Sequence, residues 1–450
     1  MRADDCLGKG PPQAHDFERG EREEALSQKD NGEGGAPVPT SSPAPLTKDP
    51  DFLKFWLGQS ISVFGSQFSG LAIPFAATFI IRATAFQFGI LATLGSLAFL
   101  LFSLHVGVWV DRHRRRVIMI YADIGRAVML AIIPISAVLG FLNINIFYVV
   151  ALGTGILTVF FEISYQAFVP SLVARSQLVD ANGKLETTRA ASSGIGPTIA
   201  GLVIDFVSAP IAVIGDTIGY LSSAGFLAWI RKPEPKVDSV KRSTWGDIRQ
   251  GLGVVLGDRR LWQIAACTGT ANLFTGALFA IIVPYLGRDL SITSPLVLGL
   301  IFSGNAFGSI LGGLASSRVA ARLGVGTTII LSAFIFGIPS AGLYFATGPL
   351  APVVLTATLF VVGIATVLYN VTQVSYRQAL VPRELQGRMN ATMRFIVTGS
   401  VPIGSFVGGI LGEAFGLHAA IGISIAGASV AFIWVLFSPV RGVRSFPAYG

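Results

Sequence analysis

From about residue 55 to about residue 438 this chain is a series of apolar runs, each long enough to cross a lipid bilayer, joined by short polar turns. Phe88 to Val106 is one such run and Val117 to Phe141 is the next; between them lies only Gly-Val-Trp-Val-Asp-Arg-His-Arg-Arg-Arg, Gly107 to Arg116. A helix needs roughly 20 apolar residues to span ~30 Å of hydrocarbon. A charge left at mid-depth costs about 2.5–3.5 kcal/mol, so this turn must sit at a membrane face. Twelve spans are expected, near 55–81, 88–110, 117–140, 146–170, 189–208 and 210–231, then 260–286, 296–318, 325–346, 350–376, 391–413 and 417–438. Only 13% of residues are charged, against about 25% in soluble proteins, which excludes a water-soluble fold. The chain reads as an all-α membrane protein.

Residues 1–50 are rich in Gly, Pro, Ser and charge and have no apolar signal segment, so a disordered tail is expected there. The other divisions are a first six-helix bundle over 51–231, a linker over 232–259, a second bundle over 260–438 and a C-terminal tail over 439–450. Basic residues crowd the even-numbered turns: Arg112, Arg114, Arg115 and Arg116 follow span 2, and Arg231, Lys232, Lys236, Lys241, Arg242, Arg249, Arg259 and Arg260 follow span 6. The odd-numbered turns hold Arg82 and Arg288. This asymmetry predicts that both termini are cytoplasmic. The net charge of +8 is thereby explained by topology, and no nucleic-acid partner is expected. Cys6 and Cys267 give neither a disulfide framework nor metal spacing.

The two halves are related. Ser164-Tyr165, Val169-Pro170 and Asn182 correspond to Ser375-Tyr376, Val381-Pro382 and Asn390. Ser192, Ile195, Gly196 and Gly201 then fall opposite Ser400, Ile403, Gly404 and Gly409, and Gly89 falls opposite Gly299. A parallel repeat of this kind places a substrate site between pseudo-symmetric halves.

The pattern Gly107-x-x-x-Asp111-Arg112-x-x-Arg115-Arg116 resembles the loop between helices 2 and 3 of the major facilitator superfamily. Phe160-Phe161-Glu162-Ile163-Ser164-Tyr165-Gln166, Asn182-Gly183-Lys184-Leu185-Glu186, Tyr121-Ala122-Asp123-Ile124-Gly125-Arg126, Val381-Pro382-Arg383-Glu384 and Gly387-Arg388-Met389-Asn390 resemble its bacterial drug/proton antiporters of the macrolide-efflux and enterobactin-exporter type. The resemblance implies twelve transmembrane helices in two pseudo-symmetric six-helix bundles, in the bacterial inner membrane. It also implies a cytoplasmic gating loop: Gly107 lets helix 2 approach helix 11, Asp111 faces the start of helix 11 near Met389, and Arg112, Arg115 and Arg116 pair with neighbouring acids. The alternative for those arginines is topology alone.

Charges within spans point to function, because keeping them there is costly. Asp123 and Arg126 share a face of helix 3, and Glu162 lies at similar depth on helix 4, so a buried Asp123–Arg126–Glu162 network is expected, either structural or coupled to protons. Asp216 on helix 6 has no base visible at its depth and is, with Glu162, the candidate for proton coupling; the rival is an acid lining an outward vestibule. Asp205 and Glu413 read as solvated helix ends. For the substrate cavity, Gln59, Phe64 and Gln67 on helix 1, Asn272 on helix 7 and Asn305 on helix 8 offer amides among apolar surface, with interhelical hydrogen bonding as the alternative.

The expected function is secondary active transport: a proton-coupled exporter of small amphiphilic compounds working by alternating access. The alternatives are a siderophore exporter, a lysolipid flippase or a nontransporting scaffold. No enzyme motif, cofactor site or metal site is recognisable. The expected partners are the small-molecule substrate, protons and membrane lipid, with the chain acting as a monomer.

Overall fold

The computed structural model describes residues 46–110, 112–234 and 244–445. The expected N-terminal tail, apart from its last residues, and Asp111 lie outside the described residues. Twelve described helices are long and apolar enough to cross a membrane: α1 (Pro50–Phe79), α2 (Ala85–Val110), α3 (Arg115–Val138), α4 (Ile144–Leu172), α5 (Leu178–Val207), α6 (Ala209–Trp229), α7 (Arg259–Asp289), α8 (Pro295–Leu323), α9 (Val325–Phe345), α10 (Ala351–Leu380), α11 (Arg383–Phe415) and α12 (Leu417–Leu436). The face at which α1 starts and α12 ends is called terminal below; the opposite face is distal.

Local chemistry sets the ends. Asp49 Oδ1 accepts from the amides of Asp51 (2.9 Å) and Phe52 (3.2 Å), capping α1 where Pro50 needs no partner. Asn143 caps α4 and Ser294 caps α8 in the same way. Gly324 and Gly416, both at positive φ, make the abrupt α8–α9 and α11–α12 turns.

The halves repeat one packing scheme. In the first, α1 packs on α5 and α6, α2 on α4, and α3 on α4 and α6; in the second, α7 packs on α11 and α12, α8 on α10, and α9 on α10 and α12. The principal contacts between halves are α2 with α11 and α5 with α8. The apolar interior is shared unevenly. One core cluster joins Leu71, Phe88, Ile133 and Phe147 of the first half to Ile281, Tyr285, Leu298 and Ile301 of the second, toward the distal face. Toward the terminal face the core divides into separate clusters: Phe52, Phe55, Met119, Phe168 and Leu227 in the first half, and Ile264, Ile329, Tyr376 and Val435 in the second. The molecule is closed distally and divided terminally.

Several elements differ from the sequence expectation. Helix α5 begins at Leu178 and α11 at Arg383, so the polar stretches around Asn182 and Asn390 are helical rather than loops. The Lys184–Asp180 pair, one helical turn apart, supports the first of these. The linker contains a helix, Thr244–Gly257, whose Val255 is fully buried with Leu261, Met389 and Met393. Gly251 allows this helix to rest on the Arg388 carbonyl and the Thr392 hydroxyl of α11. The C-terminal segment is docked as well: Val440 is fully buried, and the amide of Gly326 donates to the Val443 carbonyl at 2.8 Å.

Candidate functional site

The spacing of Asp123 and Arg126 puts them on the buried face of α3, where they form a direct ion pair. The Arg126 guanidinium is sandwiched between the rings of Phe161 on α4 and Tyr220 on α6, 4.1 Å from each centroid. Both rings present their negative faces to the cation. Asp123 is fully buried beside Ser223, whose hydroxyl accepts from Gln59 Nε2 at 2.9 Å. Asp216, 2% exposed, lies within electrostatic reach of Arg126, with Ser66 Oγ donating to its Oδ1 at 3.3 Å and Ser69 adjacent.

Asp216 therefore does have a base at its depth, which corrects the expectation from sequence. The network also closes without Glu162. Phe161 turns inward onto Arg126, and the next residue, about 100° further round the helix, is carried away from it. Glu162 is half-buried and lines neither this cluster nor the cavity beside it.

That cavity, of ≈ 470 Å³, lies between α1, α2, α3, α4, α6 and α7. Asp216 and Tyr220 reach it together with Ser66, Ser69, Thr154 and Thr158; the remaining wall is largely apolar and includes Phe88, Phe99, Leu130 and Phe279. An apolar chamber with a few polar groups and one carboxylate suits an amphiphile.

The residues expected in the cavity are elsewhere. Gln59 belongs to the charge cluster through Ser223. Gln67 bonds back to the Val63 carbonyl (3.5 Å) and packs on Gly196. Asn272 donates to the Val397 carbonyl at 2.9 Å, tying α7 to α11, and also lines a smaller cavity of ≈ 50 Å³ in the second half. Asn305 donates to the Leu359 carbonyl at 3.3 Å, tying α8 to α10. Phe64 is half-buried and lines neither cavity. These amides mainly serve helix packing, as is common inside membranes.

The described residues of the turn between α2 and α3 do not make the contacts expected of a gating loop. Nothing lies within 4 Å of a Cβ built on Gly107, so the expected approach of helix 2 to helix 11 does not occur there. It occurs at Gly89 and Gly409, near the distal face, because α2 and α11 diverge toward the terminal face. Arg112 is exposed. The described residues offer Arg112, Arg115 and Arg116 no salt bridge of 4.0 Å or less. Instead the Glu234 carboxylate accepts from the amides of Arg115 (2.9 Å) and Arg116 (3.3 Å), capping α3, and Arg116 Nη2 donates to the Ala228 carbonyl at 2.6 Å. Glu413 is more than a solvated helix end: its Oε2 accepts from the Phe86 amide at 3.2 Å, joining α11 to the start of α2.

Several of the known proteins that this chain resembles are efflux proteins. Macrolide efflux protein A of Streptococcus pyogenes is 24% identical over 371 residues, covering 82% of this chain and 90% of that protein. The multidrug efflux pump Tap of Mycolicibacterium fortuitum is 24% identical over 355 residues, covering 75% and 83%. Among solved structures, a bacterial homologue of the iron transporter ferroportin superimposes in its inward-facing state with a TM-score of 0.69 at 15% identity, covering 86% of this chain and 98% of that one. Its outward-facing state gives 0.56 at 17% identity, with the same coverage. The family described as Transmembrane secretion effector matches residues 40–447. With nearly its whole length matched, this chain belongs to that family of multi-pass transporters within the major facilitator superfamily.

Proposed function

We propose that this protein is a proton-coupled exporter of small amphiphilic cations, working by alternating access in a bacterial inner membrane with both termini cytoplasmic. The observation that carries this reading is the placement of Asp216, which belongs to the charge cluster and also lines the 470 Å³ cavity. Asp123 pairs with Arg126 and Asp216 lies within electrostatic reach of the same guanidinium, so with both ionised the cluster holds one negative charge more than it can pair. A proton or a cationic ligand can neutralise that charge, but both together would leave an excess. Competition for one carboxylate couples the two fluxes.

The divided terminal half and the closed distal half support an inward-open state, provided the terminal face is cytoplasmic as the distribution of basic residues predicts. The higher similarity to the inward-facing than to the outward-facing ferroportin homologue agrees with this. The efflux roles named for the relatives support the outward direction of transport.

The test is flux in proteoliposomes with an imposed pH gradient and an amphiphilic cation such as rhodamine 6G. Wild type should move the dye against its gradient. Asp216→Asn should abolish the pH-driven component while the protein still inserts. Wild type that moves no dye uphill, or an Asn variant with an unchanged pH response, contradicts the reading.

A further inference from the structure

The second half carries a buried cation with no counter-charge among the described side chains. Arg377, one turn from the end of α10, is 7% exposed. Its Nε has no hydrogen-bond partner among the described residues, and no carboxylate among the described side chains, which do not include that of Glu384, lies within 4.0 Å of the guanidinium. The contrast with Arg126 is direct, since that guanidinium has Asp123 and two aromatic faces. The position related to Arg377 by the internal repeat is Gln166, which is exposed, so the charge is peculiar to the second half.

Arg377 is also the end of a stripe. Thr366, Asn370, Gln373 and Arg377 follow one another at intervals of four, three and four, which sets them on one face of the helix. Gln373 is 4% exposed and its Oε1 is unpartnered. Thr366 and Asn370 line the ≈ 50 Å³ cavity together with Thr268 and Asn272 of α7, and Asn370 is exposed there. A buried guanidinium has few stable arrangements without an anion, and its planar fork matches the two oxygens of a carboxylate or phosphate.

We propose that Arg377 and the polar stripe of α10 form a binding site for an oxyanion, a carboxylate or phosphate, carried by the transported amphiphile. The proposal rests on the amphiphile reading above but not on Asp216 as the coupling group. Arg377 lies nearer the divided terminal face than Asp216 does, so a ligand entering from that face meets the guanidinium first. The transporter therefore favours molecules bearing both a cationic and an anionic group over those bearing the cation alone.

Rhodamine B and its ethyl ester test this, because they share the cationic ring system and differ only in the free carboxylate. Binding to the purified full-length chain is followed by fluorescence anisotropy, with size-exclusion profiles confirming that each variant is folded. Wild type should bind the acid about tenfold more tightly than the ester. Arg377→Gln should remove the preference by weakening the acid alone, Arg377→Lys should keep most of it, and Asp216→Asn should leave the ratio intact. Equal binding of the two dyes by wild type, or a preference that survives Arg377→Gln, overturns the oxyanion site. Failure of wild type to bind either dye overturns the amphiphile reading as well.

Discussion

Gly89 of α2 and Gly409 of α11 face each other so closely that a Cβ built on Gly89 would stand 2.6 Å from the Cα of Gly409, and one built on Gly409 would stand 2.7 Å from the Cα of Gly89. Their counterparts in the internal repeat, Gly299 and Gly201, make the equivalent contact between α8 and α5: Gly299 lies on the Pro197 carbonyl and Gly201 on the Pro295 carbonyl. Two backbone-to-backbone seams thus close the distal face on either side of the pseudo-twofold axis. Thr93 Oγ1 to the Pro402 carbonyl (3.2 Å) and Thr198 to Ser303 (2.8 Å) continue each seam inward.

A side chain at Gly89 must push backbone rather than a flexible side chain. Gly89→Val is expected to destabilise the distally closed state by about 1–3 kcal/mol, the usual range for overpacking. Thermal unfolding in detergent would show the lower midpoint. An unchanged midpoint would mean that the seam is looser than described.

Arg126 pairs with the buried Asp123 and acts electrostatically on Asp216, so its removal should be far more damaging than removal of the whole pair. Arg126→Leu should cost about 3–5 kcal/mol by leaving buried negative charge uncompensated. The double variant Asp123→Asn, Arg126→Leu should recover a large part of that loss. Equal destabilisation in the single and double variants would show that ring packing of Arg126, rather than its charge, dominates.

Much of this architecture was legible in the sequence, because hydrocarbon imposes one rule on every span and one on every basic turn. Helix number and the internal repeat follow from those rules together with the aligned Gly and Pro positions. What the sequence hid was lateral. Arg126 lies roughly 13 Å from one face and Asp216 roughly 9 Å from the other, which in ~30 Å of hydrocarbon leaves about 8 Å, near enough for the two charges to interact. Depths counted along separate helices make such residues look unrelated. The linker helix is hard to see in the sequence because Gly251 and Gly253 weaken its pattern, although Ile248, Gly251 and Val255 keep a helical spacing. In the sequence Arg377 is one more base near a turn, and only its burial sets it apart.

The start of α7 gives a prediction outside the hydrocarbon. Asp258 accepts from the Arg260 amide (2.7 Å) and from its Nε (3.1 Å) and Nη2 (2.8 Å). Hydrogen bonding from the Arg260 side chain, opposed by burial and aided by the backbone amides, holds the carboxyl below its ordinary 3.8. A lowered folded-state value stabilises above the unfolded value, and the contribution disappears as pH falls through the folded one. Asp258→Ala should therefore cost about 1 kcal/mol at neutral pH, as the loss of a cap does. The gap from wild type should be constant down to about pH 5 and narrow below about pH 4. Melting midpoints of both proteins across that range would check the sign; a gap that widens in acid would contradict it.

The central claim is that the two halves open one face at a time around the Asp216 cavity. Spin-label distances test it most directly, with one pair at Thr84 and Phe415 on the distal face and another at Arg114 and Gly387 on the terminal face. On changing pH and adding rhodamine 6G, the distal distance should lengthen while the terminal distance shortens, each by several ångströms. Distances that stay fixed, or that change together in the same direction, would contradict the account.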